Sequence, residues 1–100
     1  MIEGKIIIPA DSAQDILIQD VRGYSRIKSV IMNEKGLSAT AYYFCGFGAS
    51  FVDKAVKSQE IGRDSRVDYV FDTGWHFVKI RVKNTCFTSP IELSYRLELS

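Results

Sequence analysis

From His76 to Asn84 the chain alternates without a break. Val78, Ile80 and Val82 point one way, and Lys79, Arg81 and Lys83 point the other. A period of two is the mark of a strand with one dry face and one wet face, and no helix carries it. Ile91 to Leu99 repeats the pattern, with Ile91, Leu93, Tyr95, Leu97 and Leu99 set against Glu92, Ser94, Arg96 and Glu98. Between the two runs, Asn84, Ser89 and Pro90 supply turn chemistry. The two strands are therefore expected to pair as an antiparallel hairpin with a long loop.

The remaining segments must be compatible with that pair. Lys5 to Ile8 is a short apolar run closed by Pro9, which has no amide to give to a ladder. Gln14 to Asp20 reads as a second strand ended by Gly23, and Ser25 to Met32 as a third. Asn33 to Gly36 is a turn signal in which Gly36 is free to take a positive φ. Leu37 to Cys45 is rich in aromatic and β-branched residues and apolar on both faces, which predicts a strand covered on both sides. Ser50 to Arg63 fits a short strand or a helix, the latter with Ser50 as N-cap and Asp53 at the third position. Arg66 to Asp72 alternates again, and Asp72 to Gly74 turns the chain into Trp75. Seven or eight short strands, with a turn every ~8–12 residues, predict an all-β antiparallel sandwich of jelly-roll type in a single domain over residues 1–100.

Composition narrows the possible chemistry. One hundred residues with 46% hydrophobic and 25% charged suit one globular core. Thirteen basic against twelve acidic residues leave a net charge of +1, far from the excess that nucleic-acid or polybasic membrane binding requires. No run approaches the ~18 consecutive apolar residues of a membrane span. The first residues carry neither a basic leader nor an apolar core, so synthesis in the cytoplasm is expected. Cys45 and Cys86 are too few for a disulfide scaffold or a zinc site, and Cys45 reads as a buried thiol.

The small jelly-roll sandwiches of phage and viral virion proteins and of carbohydrate-binding modules resemble this pattern. The likeness lies in Gly23 to Lys28 opening one strand, Trp75 to Asn84, and the closing run Tyr95 to Leu99. It spans most of the chain without a diagnostic motif. It implies a module that binds and assembles, either as a capsid decoration or tail-associated subunit or as a sugar-binding domain.

Candidate sites follow from the same reading. His76 is the only histidine, so triad chemistry would have to use it, yet no nucleophile or acid is paired with it by sequence. It reads as a structural residue at the rim of the core. Gly46 and Gly48 lack the third glycine and the following helix of a dinucleotide loop. No cofactor or metal is expected. The row Lys79, Arg81 and Lys83 reads as a solvated face balanced by cross-strand acids such as Glu92 and Glu98. Aromatics in loops are the informative excess, because exposed rings mark contact surfaces. Phe47, Phe51 and Phe87 are the candidate protein contacts, pointing to a homo-oligomer or to capsid or tail partners. The alternative is a glycan stacked on Trp75, Tyr24 and Tyr42, with Asn84 and Asp72 as its hydrogen-bonding partners.

Overall fold

Every alternating run of the sequence forms a strand, and the order in which those strands pair places the candidate sites. The structure is a computed structural model that describes residues 1–48 and 55–100. Among these residues are eight strands: β1 Ile2–Ile8, β2 Ala13–Asp20, β3 Ile27–Lys35, β4 Ala39–Gly46, β5 Lys57–Ile61, β6 Arg66–Phe71, β7 Phe77–Asn84 and β8 Ile91–Leu99. They form two four-stranded antiparallel sheets, β1-β8-β3-β6 and β2-β7-β4-β5.

The ladders are nested. β1 pairs with β8, β2 with β7, β3 with β6 and β4 with β5. The chain is thus one long antiparallel ribbon folded over on itself, with successive strand pairs laid alternately in the two sheets. The β3–β8 and β4–β7 ladders complete each sheet. The result is a jelly-roll-like sandwich, the expected class.

The expected β7–β8 hairpin does not form. β7 lies between β2 and β4, whereas β8 lies between β1 and β3 in the opposite sheet. Both strands bury one face in the same interlayer core, so their alternation is identical whichever sheet they join. The turn decides instead. Asn84 is fully buried, and its side chain donates to the carbonyls of Ile8, Pro9 and Ser89 while accepting from the Cys86 amide. These four bonds, with the Asp11 amide on the Cys86 carbonyl and the Thr85 amide on the Ser38 carbonyl, hold the chain where it crosses from one sheet to the other.

Val78, Ile80 and Val82 of β7 are buried in the same core as Ile31 of β3 and Leu93 and Leu97 of β8. Tyr43 of β4 bridges the layers, its ring 4.5 Å from Tyr69 and 5.7 Å edge-on from Phe71, both on β6. β4 is covered on its outer face too, where Phe44 lies under the Lys79 ammonium at 4.5 Å. At the end of β3, Gly36 takes a φ of +142°, and an added Cβ would stand 3.0 Å from the Ile91 Cα. The turn there needs glycine for both reasons. Within Ser50 to Arg63, Lys57–Ile61 is strand, so the strand alternative holds there. The proposed cap residues Ser50 and Asp53 lie outside the described residues.

Candidate interaction surfaces

Strand β7 links the aromatic positions and also separates them. Trp75 and His76 precede its first residue and Phe87 follows its last. Eight residues at ~3.3 Å each put these sites roughly 25 Å apart, at opposite ends of the sandwich. Phe47 and Phe87 are consequently two surfaces.

At the first end, Phe47 follows β4 and is 63% exposed. Its ring lies 4.9 Å from that of Trp75 and 5.4 Å edge-on from the imidazole of His76. The backbone brings them together, because Gly46 and Phe77 face each other in the β4–β7 ladder and the His76 amide donates to the Gly46 carbonyl. His76 Nδ1 lies 3.0 Å from the Phe47 carbonyl oxygen, and the Val21 amide donates to the His76 carbonyl. The imidazole and its backbone thus fasten three segments together. Trp75 packs partly on the core, and Phe47 covers it.

At the second end, Phe87 is 79% exposed in the β7–β8 crossing. A groove of about 690 Å³ opens at this end, with Ile7, Leu37, Pro90 and Ile91 on its apolar side and Arg63 and Glu92 at its charged rim. Phe51, the third candidate contact, lies outside the described residues.

The alternative sugar-stacking residues lie on three different elements. Tyr24 follows Gly23 in the β2–β3 turn, Trp75 is under Phe47, and Tyr42 projects from the outer face of β4. Asn84 is unavailable to a ligand because every hydrogen-bonding group of its side chain is used within the fold. Tyr42 lines an open groove of about 570 Å³ together with Phe44, Val56, Ser58 and Arg81.

The basic row finds different partners from those expected. Glu92 and Glu98 belong to the other sheet. Arg81 donates instead to Asp15 at 2.8 Å, across the β2–β7 ladder. Glu98 lies 3.8 Å from Arg96, and Asp68 draws together Lys28 and Arg66. Each outer face thus carries local ion pairs between neighbouring strands or neighbouring residues. Among the described residues, no group of three or more His, Cys, Asp or Glu side chains is arranged to hold a metal ion.

The two cysteines differ chemically. Burial pushes the Cys45 thiol up to about 11. Cys86 lies in the exposed crossing, where the Thr88 hydroxyl, 3.5 Å from Sγ, and the Thr88 and Ser89 amides hold its thiol down at about 7. The thiolate is the reactive form. Alkylation of the folded protein should therefore modify Cys86 alone, with a rate that is half-maximal near neutral pH. Mass spectrometry of iodoacetamide-treated protein reads this directly, and equal labelling of Cys45 under native conditions would contradict the fold as described.

No protein-family model matches this chain, and no curated protein matches it. Similarity appears at the level of structure. The crystal structure of PirA superposes with a TM-score of 0.75 at 15% identity, covering 96% of this chain and 93% of that one. The SPBc2 prophage-derived protein YomS gives 0.59 at 13% identity, covering 100% and 96%. A structure from the Bacillus endospore appendages, described as a family of disulfide-linked pili, gives 0.54 at 16% identity, covering 99% and 88%. At these identities the likeness is one of fold, extending over most of each chain.

Proposed function

We propose that this chain is a non-catalytic assembly subunit that works by packing against other protein chains, most concretely as a capsid decoration or tail-associated component of a phage or virus-like particle. On this reading it is made in the cytoplasm and then incorporated into the particle. The observation that carries it is the pair of exposed phenylalanines, Phe47 and Phe87, displayed at opposite ends of one strand. A large apolar ring left in water is a cost unless a partner covers it, and two such rings at opposite ends suit a subunit contacted from both sides. The sandwich fold is shared with a prophage-derived protein and with a pilus-forming protein, which supports the reading by analogy of fold.

Sedimentation velocity tests it. The chain should run above its monomer mass at high micromolar concentration, and Phe47→Ser and Phe87→Ser should each weaken that association. A strict monomer that also binds no particle would sink the proposal.

A second reading, glycan binding, keeps one specific observation in its favour. Tyr42 offers a ring face inside a groove where Ser58 and Arg81 supply polar groups. Calorimetric titration with a panel of oligosaccharides decides it. Heat that disappears in Tyr42→Ala would support it, and no heat with any oligosaccharide would end it.

A further inference from the structure

A sandwich of two open sheets has four edges, here β1 and β6 on one sheet and β2 and β5 on the other. Exposed edges invite pairing with another chain, and proteins blunt the edges they must keep single. Three of these are blunted. β2 is bulged between Asp15 and Leu17, β5 has only five residues, and on β6 the Asp68 carbonyl accepts from Gln59 Nε2 at 3.3 Å. β1 is different. Its seven residues run in unbroken register with β8, from Ile2 opposite Leu97 to Ile8 opposite Ile91. Asn84 reaches the carbonyls of Ile8 and Pro9, but among the described residues no side chain hydrogen-bonds the backbone from Ile2 to Ile7.

The side chains of this edge are self-complementary. The outer row reads Met1, Glu3, Lys5, Ile7, and the inner row Ile2, Gly4, Ile6, Ile8. Met1 is 73% and Ile7 62% exposed, and no ion pair among the described residues uses Glu3 or Lys5. Let a second copy of the strand run antiparallel to the first about a two-fold axis at Gly4. Glu3 then faces Lys5 of the other copy, twice. Met1 faces Ile7, and Ile2 faces Ile6. Shifting the axis to Lys5 sets lysine against lysine, and shifting it to Glu3 sets glutamate against glutamate. Directly opposed charges of one sign destabilise a ladder, so charge selects the Gly4 register. Gly4 itself puts no side chain at the crossing point, and the ring of Tyr95 already occupies the space where its Cβ would be, at 2.6 Å from Oη.

We propose that β1 pairs with β1 of a second copy of this chain, joining two four-stranded sheets into one continuous eight-stranded sheet. The contact is isologous and closes on itself, which leaves both phenylalanine-bearing ends free for further partners. This inference rests on the assembly reading above and names one of its surfaces.

Sedimentation of the full-length chain and its charge variants tests it. Glu3→Lys and Lys5→Glu each create two like-charge oppositions and should weaken the dimer roughly tenfold, whereas the double exchange should restore it. Hydrogen exchange needs no variant. The β1 amides that face the free edge should become protected as protein concentration rises. An oligomer indifferent to all three variants would overturn β1 pairing while leaving the assembly reading intact, particularly if Phe47→Ser or Phe87→Ser still weakens it. A wild-type monomer with concentration-independent exchange in β1 would overturn the pairing whatever other partners the chain binds.

Discussion

Replacing Asn84 with alanine is expected to cost about 3 kcal/mol and to lower Tm by roughly 15 °C or more. The side chain is wholly buried and makes four hydrogen bonds, at 2.9 to 3.2 Å, to Ile8, Pro9, Ser89 and Cys86. Alanine leaves three carbonyls and one amide without that partner. A buried orphan costs about 1–3 kcal/mol, and because Pro9 is exposed, water can satisfy part of the loss. The damage has a particular location. Asn84 joins the end of β1, the end of β7 and the crossing to β8, so its loss loosens the connection that sends β7 and β8 into different sheets. Asn84→Asp should be equally harmful at neutral pH, because a carboxylate has no proton to offer three carbonyls. Thermal melts of the two variants check both statements, and an alanine variant within a few degrees of wild type would show that the amide is not what holds the crossing.

The second large effect belongs to Tyr43. Tyr43→Ala should cost about 4 kcal/mol, the usual scale for removing a buried aromatic ring and leaving its cavity. That is a large share of the ~5–15 kcal/mol available to a domain of this size. The ring is fully buried between the layers, in contact with Tyr69 and Phe71, and its hydroxyl donates to Gln59 Oε1 at 3.2 Å. Its titration adds a pH dependence. Burial pushes the phenol from 10.0 up to about 12, partly opposed by a hydrogen bond with Ser29. Folding thus favours the neutral form. The contribution is fully present below pH 10 and is lost as pH climbs from about 10 to about 12. Tyr43→Phe should therefore cost only about 1 kcal/mol at neutral pH and should shrink the alkaline loss of stability. It will not abolish that loss, because Tyr69 and Cys45 are also shifted upward by burial. Urea midpoints measured between pH 8 and about 12 test this, and an unchanged alkaline slope in Tyr43→Phe would assign the effect to those other groups.

Strand identity was legible because alternation is local. Val78, Ile80 and Val82 against Lys79, Arg81 and Lys83 mark β7 whatever surrounds it, since a pleat sends neighbouring residues to opposite faces. Gly36 was legible as the turn residue, but Asn33 to Lys35, read as part of the same turn, instead extend β3 in its ladder with β8, past an irregularity between Asn33 and Lys35 that local letters do not announce. Less could be read of the surfaces. Phe47 and Phe87 were identified as exposed rings, but nothing local says that one covers Trp75 while the other stands alone at the far end of β7. Asn84 passed for a surface polar residue because hydrogen bonds to Ile8 and Pro9, more than seventy residues earlier, leave no trace in neighbouring letters. The Glu3 and Lys5 alternation on β1 was visible in principle. Its meaning depends on β1 being an edge, and edges are defined only once every strand has a place.

Sequence alone therefore determined the class of this molecule: short strands, turns at glycine and proline, and apolar faces that require a second layer. Tertiary structure alone decided which strands are neighbours, and so which edges stay open and which aromatic rings meet. The reason is physical. A strand's pattern records only that one face is dry, and in a sandwich both sheets turn their dry faces to the same core. Assignment to a layer then rests on long-range bonds such as those of Asn84, and these exist only when the whole chain has folded.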